Sequence, residues 1–322
     1  MAYEVKEAPS GGQDSFSTMT SSVVEEIKKV IIGKDSVIND IFIALLSGGN
    51  ILLEGIPGVA KTTIAKNFAA ATGLDFKRVQ FVPDILPSDI IGANIYRMSD
   101  SKFEFHGGPI FTNILLIDEV NRASPKIQSS LLEAMEEKQV TVDGRTYKLP
   151  SPFMVITTLN PKEIMGTFPL PESQIDRFML KLSLDYPTSE EELDILKSKN
   201  NETQNSIRSV LSREDILGMI KTVDNVHVDE KVMVYIRNLV LASRTHEKVL
   251  IGGSPRASIS LLKASKAYAA MQGRGYVLPD DIKYLLPRVM EHRIIIKPEL
   301  ELENVTPIDV IKELLGSIEV PT

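Results

Sequence analysis

Two short groups of residues could do chemistry by their types and spacing. In "GIPGVAKTT", Gly55 to Thr63, a glycine-containing turn closes on Lys61 and Thr62; in "ILLIDE", Ile114 to Glu119, an apolar run ends in the adjacent carboxylates Asp118 and Glu119. A turn of the first kind, leading into a helix, directs backbone N–H groups and the positive end of the helix dipole at one point, which suits phosphate oxygens. Lys61 would meet their charge and Thr62 would offer a hydroxyl to magnesium. The acidic pair suits the complementary half of the chemistry, in which Asp118 holds the magnesium, usually through water, and Glu119 orients or deprotonates an attacking water. Each group alone has a plainer reading, a ligand-free strand-to-helix turn or a solvated Asp-Glu pair. Found in order, each at the end of an apolar strand, they favour the joint one.

The loop departs from G-x-x-x-x-G-K-[ST] at one position, where Ala60 replaces the second glycine. A left-handed backbone there would cost alanine about 1–2 kcal/mol. The intact Lys61-Thr62 pair and the downstream acids favour right-handed angles instead. Negative φ is therefore expected at Ala60, with the special conformations elsewhere in "GIPGV".

Three more polar groups extend the set. Asn160 follows "FMVITTL" at a strand end, where an amide could hold the attacking water or sense the γ-phosphate; a turn residue before Pro161 is the simpler role. Arg177, in "LPESQIDRFML", and Arg256, in "GGSPRASISLL", would ordinarily be surface ion-pair partners. Phosphoryl transfer, however, gains greatly from an added cation beside the transferring phosphate.

The elements that must position these residues alternate. "NILLEG", "ILLIDE" and "FMVITTLN" read as buried parallel strands, with "KTTIAKNFAAA" and "SPKIQSSLLEAMEEK" as helices between them. The expected fold is α/β, an αβα sandwich around a mostly parallel sheet. Residues 89–111 and 139–153 read as inserted β-hairpins, the second turning at Asp143-Gly144. After Pro187 the pattern becomes helical over 189–198, 213–223, 229–246, 255–272, 279–286 and 307–316, with Ser189 and Glu192 as a capping box. The expected organisation is a flexible tail over 1–20, an αβα domain over 21–186 and a smaller all-α lid over 187–322. Before the strands, helices are expected from Val23 to Gly33 and from Ser36 to Gly49.

Composition narrows the class. The 322 residues are 43% apolar, carry a net charge of −7 and contain no cysteine, which excludes disulfides, Cys-ligated zinc, iron–sulfur clusters and thiol catalysis. The acidic balance speaks against a nucleic-acid-coating protein. No apolar run reaches the roughly 18 residues of a spanning helix, and no leader pattern opens the chain, so a cytoplasmic protein without membrane insertion is expected. His106, His227, His246 and His292 have no ligand-like spacing.

With these residues assembled, the chain resembles the MoxR family of AAA+ ATPases. "LLEGIPGVAKT", "FVPDILPSDIIG", "HGGPIFTNILLIDEVNRASPKIQSSLLEAMEEKQVTVDG", "LPESQIDRF" and "GGSPRA" match that family's signature blocks in order, between about Ile31 and residue 290. The resemblance implies ATP and Mg2+ as cofactors and a ring, usually a hexamer. It implies a nucleotide-binding set of Ile32 and Gly33 near adenine, then Gly55, Pro57, Gly58, Val59, Ala60, Lys61, Thr62 and Thr63, with Asp118. By the same resemblance Arg177 is a finger reaching the neighbouring subunit's ATP and Arg256 a lid-borne sensor acting in cis, while the hairpins face the pore or upper rim. Leu159 departs from the glutamine expected before Asn160. The family implies chaperone-like maturation of client proteins, sometimes metal-cofactor insertion, with von Willebrand factor A-domain partners. Two alternatives stay open: the motor of a magnesium-chelatase-like or DNA-remodelling complex, and a nucleotide-gated scaffold without turnover.

Overall fold

A computed structural model describes residues 11–56, 58–99, 101–159, 168–200 and 206–321. Two helices, α1 (Gly11–Lys28) and α2 (Asp35–Leu46), precede β1 (Ile51–Gly55), α3 (Lys61–Ala71), β2 (Phe76–Gln80) and the short α4 (Pro87–Ile91). A hairpin follows, β3 (Gly92–Arg97) with β4 (Lys102–Gly107), then β5 (Ile114–Asp118) and α5 (Pro125–Glu137). The second hairpin, β6 (Gln139–Val142) with β7 (Arg145–Lys148), leads to β8 (Met154–Leu159), α6 (Glu172–Ile175) and β9 (Leu180–Leu184). The remainder is α7 (Ser189–Asn200), α8 (Arg213–Asp224), α9 (Glu230–Thr245), β10 (Val249–Ile251), α10 (Pro255–Met271), α11 (Pro279–Met290), β11 (Ile295–Ile296), α12 (Pro298–Glu301) and α13 (Pro307–Ser317).

The main sheet has the order β2-β5-β8-β1-β9 and is parallel at every pairing. Side chains alternate across it, so Ile51 and Leu53 enter one apolar layer while Leu52 enters the other. The first layer runs without interruption from α1, α2 and α3 into the helical C-terminal part. The second lies under α5. All five residues of β5 are buried, which is why that strand reads as a continuous apolar run.

Several elements differ from the sequence expectation. The first helix begins at Gly11, inside the stretch expected to be a tail, because Phe16, Thr20, Val23, Val24 and Ile27 recur at helical spacing and are buried. Residues 1–10 lie outside the described residues. β2 and β9 are strands that the apolar-run criterion misses: both are sheet edges, "FKRVQ" carries the exposed Lys77 and Arg78, and "LKLSL" carries Lys181, which bridges Glu54 and Glu291. The capping box of α7 sits one residue earlier than expected, with the Thr188 N–H donating to the Glu191 carboxylate at 2.8 Å and the Glu191 N–H to the Thr188 hydroxyl at 3.2 Å. Helix α11 continues through Pro287, since Val289 and Met290 are fully buried and Arg288 pairs with the buried Asp40 of α2 at 2.7 Å.

The helical part is pinned to the sheet by Arg293, whose side chain is 2% exposed. Its Nε donates to Asp176 Oδ1 at 2.8 Å, and its Nη atoms reach the carbonyls of Asp176 at 2.9 Å and Phe178 at 2.6 Å, just before β9. Removing one partner of a buried, hydrogen-bonded ion pair strands the other. Arg293→Ala is therefore expected to destabilise the fold by about 3–5 kcal/mol, seen as a lowered chemical-denaturation midpoint, whereas an exposed pair such as Lys197 with Asp194 should tolerate alanine within about 0.5 kcal/mol.

Candidate functional site

Both chemical groups lie at the C-terminal edge of the sheet. The loop after β1 and the acids ending β5 are separated by one strand, β8, and so by about 10 Å. Gly55 is a close approach: a Cβ there would lie 2.8 Å from the carbonyl of Leu184 on β9. Gly58 has φ +89° and open space around it, Val59 is buried, and Thr63 is exposed. Pro57 and Asn160 lie outside the described residues.

Ala60 corrects the sequence expectation. Its φ is +63°, a left-handed conformation, where negative φ was expected. It is the N-cap of α3, and its carbonyl accepts the N–H of Ile64 at 2.9 Å. The chain must turn from β1 into α3 within five residues, and left-handed backbone at 58 and again at 60 makes that turn. The missing glycine would have supplied this conformation without strain; alanine, the smallest residue with a Cβ, adopts it at a cost of about 1–2 kcal/mol. A turn of this kind at a helix N-terminus suits an anion, and the first turn of α3 carries no acid. Lys61 folds back over the loop, its Nζ donating to the carbonyl of Gly55 at 2.5 Å. Thr62 is half-buried beside it.

Glu119 is, after Ala60, a further left-handed residue on this edge that is not glycine, with φ +59° and ψ +54°. The turn breaks strand alternation immediately after Asp118. Thr158 of β8 fixes both acids, donating its hydroxyl to Asp118 Oδ1 at 3.1 Å and accepting the Glu119 N–H at 3.1 Å. Arg78 of β2 donates to Asp118 Oδ2 at 2.6 Å. Glu119 accepts from the Gln80 amide at 2.7 Å and pairs with Arg122 at 2.8 Å. Thr158, Arg78 and Gln80 were missed in the sequence; the paired threonines of "VITTL", polar residues ending an apolar strand, were the available signal. One carboxylate and one hydroxyl, Asp118 and Thr62, fit magnesium, which takes one or two protein oxygens and completes its shell with phosphate and water.

Ile32 and Gly33 belong to the same edge. Lys34 Nζ donates to the carbonyl of Asp185 at 3.4 Å, directly after β9, and Gly33, at φ +73°, lies against the Glu191 carboxylate from the first turn of α7.

The two arginines do not belong to it. Arg177 precedes β9, and the register Ile51↔Leu180 to Gly55↔Leu184 puts it at the N-terminal edge, about 15 Å from the loop. Arg256 is held there too. Gly252 packs where a Cβ would meet the backbone of Ser243 at 2.6 Å, and Ser254 caps α10 while donating to Asp176 Oδ2 at 2.8 Å. Arg256 Nη2 then reaches Glu136 Oε1 at 2.6 Å, and Arg177 Nη1 lies 3.3 Å from Glu136 Oε2. The expectation that Arg256 acts in cis therefore does not fit this arrangement: it stands beside Arg177, at the edge opposite its own chain's phosphate loop. Glu136 and Asp176, which gather the arginines, also escaped the sequence reading.

The strain at Ala60 yields an asymmetric expectation. Ala60→Gly should leave nucleotide binding intact and shift stability by no more than about 1 kcal/mol in favour of glycine, since relief of strain is offset by unfolded-chain entropy. Ala60→Val, β-branched where φ is positive, should weaken binding of a fluorescent ATP analogue at least tenfold; equal affinities for the two variants would contradict the geometry.

Comparison with known proteins gives the family. The model of the ATPase family associated with various cellular activities matches residues 50–180, and that of the AAA lid domain matches 241–314. The chain is 38% identical to Chaperone MoxR1 of Mycobacterium tuberculosis, covering 99% of this chain and 88% of that one. It is 44% identical to YeaC of Bacillus subtilis over 96% of this chain and 97% of that one. A crystal structure from Cytophaga hutchinsonii superposes with a TM-score of 0.90 at 40% identity, covering 96% and 97% of the two chains. Among the described residues no helix is long and apolar enough to cross a membrane. On this likeness over nearly its whole length, the chain belongs to the MoxR family of AAA+ ATPases.

Proposed function

We propose that the chain hydrolyses ATP, with Mg2+, as one subunit of a homo-oligomeric and specifically hexameric ring in the cytoplasm, and that hydrolysis remodels or matures a partner protein. The observation that carries the reading is the division of the chemistry between opposite edges of one sheet. Loop and acids stand at one edge, Arg177 and Arg256 at the other, so a complete site needs two copies joined head to tail. An interface of that kind repeats, and it closes into a ring when the rotation permits.

In this reading the loop amides, the α3 N-terminus and Lys61 bind the triphosphate. Thr62 and Asp118 hold the magnesium, which neutralises phosphate charge. Arg78 and Thr158 keep the Asp118 carboxylate in place, and Glu119 turns from Gln80 and Arg122 toward the attacking water. Asn160 is the proposed third polar group. The neighbouring copy supplies Arg177 and Arg256 to the charge that builds on the transferred phosphoryl group.

A polypeptide client is favoured over DNA by the β3–β4 hairpin. Met98 and Phe103 are 88% and 71% exposed, the Tyr96 ring lies tilted against Phe103 with centroids 5.3 Å apart, and Arg97 pairs with Glu104. Such a tip offers apolar grip and little charge for a phosphate backbone. The M. tuberculosis relative is called a chaperone, and a von Willebrand factor A-domain partner or metal-cofactor insertion would be a specific form of the same activity.

Glu119→Gln should lower phosphate release about 10²–10⁴-fold, the usual contribution of a general base, while ATP still binds. The assay belongs at protein concentrations where sizing detects rings. Equal turnover by wild type and variant would sink the hydrolytic assignment and leave a nucleotide-gated scaffold.

A further inference from the structure

Glu136 is the last glutamate but one of α5, and it is the meeting point of the two arginines. Each of its carboxylate oxygens takes one guanidinium: Oε1 takes Arg256 at 2.6 Å and Oε2 takes Arg177 at 3.3 Å. Neither arginine is otherwise well satisfied. The second contact of Arg256, to Asp176 Oδ2, is 3.8 Å long, and that oxygen already accepts from Ser254. Arg177 Nε is buried without a hydrogen-bond partner, as is the side-chain oxygen of Gln174 next to it. By contrast, the neighbouring Arg293 fills its donors on Asp176 and four other groups.

The surroundings make the pair poor at attracting an anion while Glu136 holds it. An open pocket of about 290 Å³ adjoins Arg177, and Glu133, Glu136 and Glu137 line it with Gln174. Three carboxylates thus share this pocket with the Arg177 guanidinium. Glu136, with 34% of its side chain exposed, is accessible to exchange, whereas Asp176 is tied to Arg293. A triphosphate arriving from a neighbouring copy offers several oxygens in place of two, and a guanidinium fork prefers such bidentate acceptors.

We propose that Glu136 is a releasable counter-ion: it holds Arg177 and Arg256 together as a masked cationic pair, and the γ-phosphate of the neighbouring subunit's ATP displaces it. The device rests on the proposal that both arginines serve a neighbour's nucleotide. It makes the ring interface responsive to ATP, because an empty neighbouring loop offers nothing that outcompetes Glu136. It also couples the helical lid, through Arg256, to the occupancy of the adjoining site.

The test is ATP turnover against protein concentration for the full chain, with Glu136→Gln, Arg177→Ala and Arg256→Ala alongside wild type. Unmasking the pair should lower the protein concentration at half-maximal turnover about tenfold in Glu136→Gln. A simple lid staple predicts the opposite, since losing it loosens the edge, so an unchanged or raised midpoint overturns the proposal. Should Glu136→Gln fail to fold, Glu136→Asp serves: its carboxylate is one methylene too short to span both guanidinium groups, and its midpoint should also fall. If Arg177→Ala and Arg256→Ala turn over like wild type, the underlying two-copy reading fails instead, whatever Glu136→Gln does.

Discussion

Two neighbouring parallel strands, β1 and β9, set the terms for everything else in the molecule. Their register is continuous from Ile51↔Leu180 to Gly55↔Leu184, so whatever follows β1 and whatever precedes β9 must lie at opposite ends of the same ladder. The phosphate loop follows the first and Arg177 precedes the second. No side-chain rotation spans the roughly 15 Å between them. Parallel pairing therefore divides these residues between two edges, and in the proposed function a second copy completes the site. Had β9 run antiparallel, the same sequence blocks would have met within one chain.

Each edge then carries its own solution to holding charged groups ready. At the loop edge the devices are strain and crossed hydrogen bonds. Ala60 and Glu119 both take left-handed backbone, and Thr158 bridges the two acids while Arg78 and Gln80 reach over from β2. At the arginine edge the device is shared carboxylates. Asp176 takes the buried Arg293 and the cap of α10, and Glu136 takes the half-buried Arg177 and the exposed Arg256. The lid is thus fixed to the sheet at the segment that carries Arg177, which gives lid movement a direct mechanical route to the interface.

Much of this was legible in the sequence where burial is two-sided. β1, β5 and β8 are enclosed on both faces and read as plain apolar runs, and the loop after β1 and the acid that closes β5 stand at the ends of their strands. The edge strands β2 and β9 did not: the open face of β2 admits Lys77 and Arg78, and in β9 Lys181, paired with Glu54 and Glu291, interrupts the apolar run. Ala60 shows a different limit. Residue type gives the cost of a left-handed angle but not its sign, and here the geometry of the turn prevailed over the preference of alanine. Glu136 shows a third: its partners Arg177 and Arg256 come from different elements, and nothing local to "EAMEEK" distinguishes one glutamate of that helix from the next.

The central claim is that one working site is built from two chains, and complementation between two inactive variants tests it most directly. Lys61→Ala retains its arginines and lacks a competent loop; Arg177→Ala retains its loop and lacks the arginine. Each alone should be nearly inactive. Mixed in equal amounts under conditions of subunit exchange, they should recover about a quarter of wild-type turnover, the share of interfaces that pair an intact loop with an intact arginine in a head-to-tail ring. A mixture no more active than its components, in rings shown to be mixed, would contradict the account.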